Sequence, residues 1–464
     1  MRPTTSLLLL LLPGAAQAAG YFTTGVGVRC MGRGAACAAG ASDLSAQYYN
    51  PAALTRVRSM LDLQLAGVHQ AVHFDRADEP LVGGGTLTFD EVRNEAPPMP
   101  IPALGGLTHF GVPDLALAFG VYTPYAPLLS FPADGPQRFS LASSTVLSGN
   151  VGPSVAYRFW DRLSVGAGLA FTFLQVEQSL STHMAPRSVS CSDELQYDIR
   201  TSVTARDPFA LTWNAGLLWE PEGGAWAAGL SFVPPVHFRA EGTLTADFSQ
   251  NAYYTGESGM GQIIAVESVS DDAILLDVSM PLILSAGGLW RVSERTELEL
   301  DASWQRWSGL GQLTLSEVDL WIDLTTKQDA SITDDIVLPS TLRDAFYAGL
   351  GAESRLHPRL AGRAGLFFES SAVSRSFQAV AMPDGAKLGY GLGASVALVP
   401  ERLDLDLGWS QAFVLPHEID RSEVFQVAID PLSGEVYSGK QVGNGTFSAM
   451  TTLFALGLVW TPGA

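Results

Sequence analysis

The chain is poor in the residues that most catalytic and metal sites need. It has three cysteines and seven histidines among 464 residues, and no CxxC pair. His69 and His73 lie on a predicted strand, where positions i and i+4 are about 13 Å apart, too far to share one metal ion. The sequence also has no GxSxG, HExxH or P-loop motif. We therefore expect no enzyme activity, no metal site and no cofactor.

Positive charge is also scarce. The chain has 27 Lys and Arg against 47 Asp and Glu, a formal net charge of −20. Nucleic-acid binding needs basic side chains that replace counterions, so we expect no nucleic-acid partner. Hydrophobic residues reach 47%, but no run of 18 apolar residues occurs after the first 20 positions. Helical membrane spans are therefore not expected.

Residues 1–18 have the pattern of a secretory signal. Arg2 supplies the positive charge, residues 7–12 are six leucines, and residues 16–18 form a small-x-small cleavage pattern. A membrane anchor would need about 20 apolar residues, and this run is too short. We predict cleavage after Ala18.

The next segment, residues 19–58, is rich in glycine and alanine and matches neither a strand nor an amphipathic helix. Its Asn50-Pro51-Ala52 sequence favours a turn. Cys30 and Cys37 could form a disulfide in an exported protein, or both could be small buried residues. Because the segment directly precedes a long series of strands, we expect it to be a plug.

From residue 59 onward, apolar and polar residues alternate with a period of two. Leu298 and Leu300, for example, interleave with Glu299 and Asp301. In a soluble sandwich the carboxylates would face solvent and the leucines the core. In a membrane barrel the leucines face lipid and the carboxylates face the lumen.

The lengths of the links favour the membrane barrel. The pattern predicts 14 strands, at 59–75, 102–109, 115–123, 144–159, 162–177, 206–219, 225–239, 275–291, 296–308, 341–355, 359–370, 387–399, 402–414 and 447–461. Every second link is a tight turn, and the others are long loops. Short turns at one end and long loops at the other are typical of bacterial outer-membrane barrels. A closed barrel also pairs every backbone group within the lipid.

Four tryptophans favour the same class of protein. Trp160, Trp219 and Trp290 lie beside short turns, and Trp307 lies near a long loop. These are the positions of the aromatic girdles of membrane barrels. Ordinary core aromatics are the alternative interpretation.

Two long loops, 178–205 and 240–274, are unusually apolar. Such residues either line a ligand groove or pack the loops against each other. The candidate ligand-binding residues are Leu180, Met184, Leu195, Phe248, Tyr253, Tyr254, Met260 and Ile263.

Several motifs together resemble the FadL family of outer-membrane transporters for long-chain fatty acids and hydrocarbons. The residues Gly32-Arg33-Gly34-Ala35 and Tyr49-Asn50-Pro51-Ala52-Ala53-Leu54 are similar to the family's N-terminal hatch. Residues 153–158 and 163–168 resemble its fourth and fifth strands, and residues 343–351 its tenth. The resemblance covers almost the whole mature chain.

The resemblance implies an all-β fold, a 14-stranded antiparallel transmembrane barrel (residues 59–464) plugged by the hatch (residues 19–58). It implies a low-affinity groove between the loops after the fifth and seventh strands. It also implies a lateral opening at a kinked third strand, where Gly120 and Pro124 interrupt the pattern.

We accordingly expect passive outer-membrane transport of a long-chain fatty acid or hydrocarbon by a monomer in contact with outer-membrane lipid and lipopolysaccharide. The alternatives are a general porin for small polar solutes and a structural or adhesive barrel. An outer-membrane lipase would need a serine and a histidine brought together on the wall.

Overall fold

The computed structural model describes residues 26–81, 84–185, 193–310, 313–323, 325, 330–332, 336–338, 342–431 and 436–462. The predicted signal, the first residues of the hatch and Cys191 lie outside these ranges.

The described chain is dominated by antiparallel strands. In chain order they are β1 (Met60–Arg76), β2 (Glu79–Pro80), β3 (Thr86–Leu87), β4 (Val92–Arg93), β5 (Met99–Thr108), β6 (Leu115–Tyr125), β7 (Leu128–Ser130), β8 (Ser143–Phe159), β9 (Leu163–Met184), β10 (Asp198–Trp219), β11 (Trp226–Val233), β12 (Val236–Asp247), β13 (Ser268–Met280), β14 (Leu282–Ser293), β15 (Thr296–Arg306), β16 (Leu313–Ser316), β17 (Leu320–Ile322), β18 (Ala330–Ile332), β19 (Ile336–Leu338), β20 (Ala345–His357), β21 (Leu360–Glu369), β22 (Lys387–Val399), β23 (Leu403–Ile419), β24 (Phe425–Ile429), β25 (Val436–Gln441) and β26 (Gly445–Trp460).

The helices are short. They are α1 (Val28–Gly32), α2 (Ala46–Tyr49) and α3 (Ala252–Thr255), with 3₁₀ turns at Pro51–Arg56, Leu195–Tyr197, Trp307–Gly309 and Arg375–Phe377. Among the residues described, no helix has the length and hydrophobicity to cross a membrane.

The long strands form one closed barrel. Its wall runs β1, β5, β6, β8, β9, β10, β11 with β12, β13 with β14, β15, β20, β21, β22, β23 and β26. The first and last strands pair from Leu61↔Trp460 to Arg76↔Gly445, which closes the wall. The predicted 14-stranded antiparallel barrel is therefore confirmed.

The alternating pattern sorts side chains between lipid and lumen. Leu298 and Leu300 face outward and are exposed, whereas Glu299 and Asp301 face inward and are buried. The predicted orientation of the two sets is correct. The inward carboxylates do not face open water, however, because the hatch lies against them.

The strands are longer at the long-loop end than the sequence predicts. Segments 178–205 and 240–274 were expected to be loops, but β9 continues to Met184, β10 begins at Asp198, β12 ends at Asp247 and β13 begins at Ser268. The extensions are rich in Ser, Thr and charged residues, so they lack the apolar face of a lipid-facing strand. Their backbone ladders hold them together nevertheless.

Two predicted strands are each divided by proline. The predicted strand 225–239 breaks at Pro234-Pro235, and the predicted strand 275–291 breaks at Pro281. Proline cannot donate to a ladder, so it interrupts a strand at this point.

The girdle prediction is wrong for Trp307. Its side chain is buried among Leu342, Ala345, Ala372 and Val373, and its ring N–H donates to Gln305 Oε1 at 2.8 Å. Trp160, Trp219 and Trp290 are exposed beside short turns, as expected.

Candidate functional site

Residues 26–58, the described part of the predicted hatch, lie inside the barrel near the end with the short turns. Asn50 fixes the central turn of the hatch: the side-chain oxygen accepts from the Ala52 N–H at 3.1 Å. Its amide nitrogen donates to the Ala38 carbonyl at 2.7 Å and to the Leu217 carbonyl in β10 at 3.0 Å. Asn50, Pro51 and Ala52 are all buried. The Asn-Pro-Ala motif therefore ties the hatch to itself and to the wall.

A disulfide joins Cys30 to Cys37, with 5.9 Å between the two Cα atoms. This resolves the two alternatives that the sequence left open. The bond closes a short loop of the hatch and so limits the conformations available to residues 30–37.

Glycines on the inner face of the wall make room for the hatch. A Cβ added at Gly166 in β9 would lie 2.3 Å from the Pro51 carbonyl carbon, and one at Gly391 in β22 would lie 2.1 Å from the Met31 carbonyl oxygen. These atoms are backbone and cannot move aside as a side-chain end can. The absence of a side chain at these two positions therefore allows the hatch backbone to touch the wall.

Buried charged side chains of β15 also bind the hatch. The Arg33 guanidinium lies 2.6 Å from Glu299, and neither side chain is exposed beyond 1%. Glu299 also accepts from the backbone N–H groups of Ala39 (2.7 Å) and Gly40 (2.9 Å). Asp301 accepts from two further hatch N–H groups, at 2.7 Å each. The carboxylates of β15 thus bind backbone that would otherwise be buried without partners.

The charge of Arg33 is stabilised in this setting. Burial opposes the charged form, but the attraction of Glu299 and neighbouring carboxylates outweighs burial, and the pKa of Arg33 is raised. The guanidinium therefore stays charged inside the barrel. A second pair, Arg29 with Asp406 in β23 at 2.8 Å, ties α1 to the wall in the same way.

The backbone ladder between β5 and β6 is short. The two strands pair only from Leu104↔Val121 to Thr108↔Leu117. Beyond that point β5 stays paired with β1 up to Met99, while the ladder of β6 with β8 shifts register between Tyr122 and Tyr125. Pro124 lies within this shift. Gly120 lies just before it, and both are buried.

Two cavities lie between this part of the wall and the hatch, with about 320 and 390 Å³ of empty space, some of it open to the surroundings. The first is lined by Leu44 and Tyr48 of the hatch and by Gly120 of β6, the second by Met31 of the hatch, and Tyr122 of β6 lines both. Leu104 also lines the first cavity, although its side chain is 50% exposed on the outer face.

The structure places the predicted groove residues in different settings. Met184, Phe248, Tyr253 and Ile263 are buried in one apolar cluster at the long-loop end, and Tyr254 packs against it. Leu180 is also buried, whereas Leu195 and Met260 are exposed. A groove lined by these residues remains a prediction.

Tyr48 of the hatch lines three cavities, including the first of the two beside β5 and β6. The sequence did not identify this residue. Among the described residues, no three His, Cys, Asp or Glu side chains gather where they could hold a metal ion.

A closed barrel with an apolar outer face and a plugged lumen defines the class of outer-membrane β-barrel proteins. A family model described as outer membrane protein transport protein (OMPP1/FadL/TodX) matches residues 9–455. The chain belongs to this family.

Individual relatives are distant in sequence. Outer membrane protein P1 of Haemophilus influenzae is 22% identical over 280 residues, 56% of this chain and 54% of that protein, so the chain spans about half the length of the curated relatives it matches. The crystal structure of a Pseudomonas aeruginosa FadL homologue superimposes with a TM-score of 0.73 at 16% identity, covering 96% of this chain and 100% of that one. The Pseudomonas putida toluene transporter TodX gives a TM-score of 0.67 at 14% identity, covering 95% and 99%. These structures share the fold of this protein.

Proposed function

We propose that this protein carries hydrophobic compounds, long-chain fatty acids or aromatic hydrocarbons, across the outer membrane by passive diffusion, with lateral exit between β5 and β6. The observation that carries the proposal is the interrupted β5–β6 ladder with apolar cavities directly behind it. TodX, which shares this fold, is a toluene transporter, and this adds support.

A lateral exit answers the main physical difficulty of such a substrate. Each methylene left in water costs about 0.8 kcal/mol, so an acyl chain of ~15 methylenes costs on the order of 12 kcal/mol. A hydrated pore would reject this chain. A path from the apolar long-loop cluster to the β5–β6 cavities and then into lipid keeps the ligand in apolar surroundings.

The β5 sequence suits an unpaired edge. Pro100 and Pro102 lie where β5 has no partner on the β6 side, and proline is tolerated at edges because it has no N–H to pair. Gly120 lets the hatch residue Gln47 lie against β6: a Cβ there would be 2.6 Å from the Gln47 side-chain oxygen.

Gly120→Leu tests the route. The new side chain would enter the cavity between β6 and the hatch, and Gln47, whose side-chain end is flexible, would move. We expect slower uptake of labelled oleate and toluene by cells that express this variant, with normal folding of the barrel.

Gly362→Leu is the matched control. Gly362 lies on the outer face of β21, and a Cβ there would meet only the side chain of Leu356 within 4 Å. Uptake by this variant should equal that of the native protein. Equal uptake by both variants would refute exit between β5 and β6.

A general porin is the alternative function. It would conduct ions in planar bilayers and would not respond to fatty acids. The hatch contacts described above argue against an open pore, and a large conductance of the native protein would favour the porin.

A further inference from the structure

The wall has a second interruption, between β10 and the strand pair β11–β12. β10 pairs with β11 from Ala215↔Phe232 to Trp219↔Ala228, and with β12 from Arg200↔Asp247 to Arg206↔Glu241. Both ladders share one register, yet residues 207–214 form no pairs with residues 233–240, which lie opposite them. Each of the two stretches pairs only with its neighbour on the other side. The gap therefore separates two strands that remain aligned at both of its ends.

The gap arises because the alternation of exposed and buried residues shifts by one position in each strand, and the two shifts lie at different levels along the barrel axis. The ladder of β10 with β9 has a bulge between Asp207 and Ala210, around Pro208, and the exposed residues change there from even to odd positions. In the strand pair β11–β12, the exposed residues change from even to odd positions at Pro234-Pro235, which lies nearer the short turns. Between the two breaks, exposed Leu211 would stand opposite buried Val236. Opposite residues of a ladder must face the same side, so this stretch cannot pair.

Unpaired backbone facing lipid is costly, and the sequence lowers this cost. Pro208, Pro234 and Pro235 have no N–H to leave without a partner. Asp207 closes the outer end, because its side chain accepts from the Arg239 N–H at 3.0 Å. The rings of Trp213 and Phe232, 5.5 Å apart, border the inner end. The neighbouring pair β13–β14 bends at Pro281 and stays paired with β11–β12 on either side of the bend.

A cavity with about 360 Å³ of empty space, partly open, reaches this gap from the hatch. Thr212, Trp213, Asn214 and Val233 line it at the gap, and Tyr48 lines it at the hatch. Trp213 lies beside the unpaired stretch, and its side chain is 47% exposed on the outer face.

The lining also contains polar atoms that have no partner. Thr212 Oγ1, Ser154 Oγ and Gln47 Oε1 are buried and accept or donate no hydrogen bond. All three side chains are more than nine-tenths buried and line the same cavity. No charged side chain is among its lining residues. Buried polar atoms without partners call for a ligand or water that satisfies them.

We propose that this cavity is a second lateral site, which binds uncharged amphiphiles such as alkanols or phenols. The hydroxyl bonds to Thr212, the unpartnered side chain on β10 beside the gap, and the apolar part passes through the β10–β11/β12 gap into the lipid. A carboxylate binds worse because no cation faces it. The inference rests on the proposed function for the route by which the ligand arrives.

Photolabelling tests the site directly. The purified protein in lipid nanodiscs is exposed to a diazirine-bearing 1-octanol, and labelled residues are mapped by mass spectrometry. We expect labels at residues 212–214 and 233, protection by excess 1-octanol and little protection by octanoate at neutral pH. Thr212→Val should weaken the protection about 2- to 10-fold, the value of one hydrogen bond. No label at these residues, or equal protection by octanoate, would overturn the proposal.

A tryptophan that fills the gap provides the second measurement. Val233→Trp should abolish labelling at residues 212–214. Val165→Trp, on the lipid face of a fully paired stretch, should leave it unchanged. Heat-modified mobility on gels shows that each barrel is folded. Labelling that persists in folded Val233→Trp would also overturn the proposal.

The two proposals can fail separately. If native cells take up no oleate or toluene, the transport function fails, while the labelling map still decides the binding site. If uptake occurs and the map shows label only between β5 and β6, the second site fails and transport stands.

Discussion

The buried pair of Arg33 and Glu299 should be the strongest single attachment of the hatch. Arg33→Met removes the cation and leaves Glu299 in the interior, where it keeps its bonds from the Ala39 and Gly40 N–H groups. Breaking a buried ion pair in this way costs about 3–5 kcal/mol. Because the two remaining hydrogen bonds still stabilise Glu299, we expect a value near the lower limit, about 3 kcal/mol.

Hydrogen exchange of the hatch measures this loss. If residues 28–57 exchange through undocking of the hatch, a loss of about 3 kcal/mol raises their exchange rate on the order of 10²-fold. The strands opposite β15 should keep their protection, since the barrel ladders are untouched. Planar-bilayer conductance should rise as well, because an undocked hatch leaves the lumen open.

Arg239→Met is the matched control for this substitution. Arg239 lies 3.7 Å from Asp277, and the two side chains are 71% and 43% exposed. An exposed ion pair contributes roughly 0–1 kcal/mol. Exchange of the hatch should therefore equal that of the native protein. If Arg33→Met and Arg239→Met gave the same exchange, the reasoning that buried charges hold the hatch would be refuted.

Two further predictions concern the hatch turn and the long loops. Asn50→Ala should weaken hatch docking by about 1–3 kcal/mol, because the buried Ala38 carbonyl and the partly buried Leu217 carbonyl lose their donor. The hatch should then become protease-sensitive at lower urea concentration, and an unchanged urea midpoint of protease sensitivity would contradict this role. In the loops, burial opposes ionisation of Asp193, but Arg76 and Lys440 outweigh it and hold its pKa below the ordinary value. Its stabilising contribution is therefore complete above about pH 4 and is lost as the pH falls through the lowered pKa. Melting curves of the native protein and Asp193→Asn should differ at neutral pH and converge in acid; a difference that persists in acid would contradict the pairing.

The sequence predicted the barrel well because its signal is local. The alternation of Leu298 and Leu300 with Glu299 and Asp301 shows which face meets lipid, and tight turns mark where the chain reverses. Strand ends at the long-loop side were missed because the outward face of those extensions is polar and their apolar residues pack inward in one buried cluster, so the lipid-facing pattern is absent. Trp307 was misplaced for a related reason: only tertiary packing decides which aromatic near a loop is buried.

The interruptions of the backbone ladders were only partly predictable. Pro124 indicated a break in the third strand, but the sequence does not show that β5 stays paired with β1 beyond its last pair with β6. The gap at β10 depends on where, along the barrel axis, the alternation of exposed and buried residues shifts at Pro208 and at Pro234-Pro235. That comparison requires the register of two strands, which a single sequence does not contain.

The central claim is that hydrophobic compounds cross this plugged barrel without an energy source. The most direct test is the rate at which labelled oleate and toluene enter cells that express the protein and cells that lack it, with and without a protonophore. We expect faster entry into the expressing cells, an increase that the protonophore does not remove. Equal entry into the two kinds of cells would contradict it.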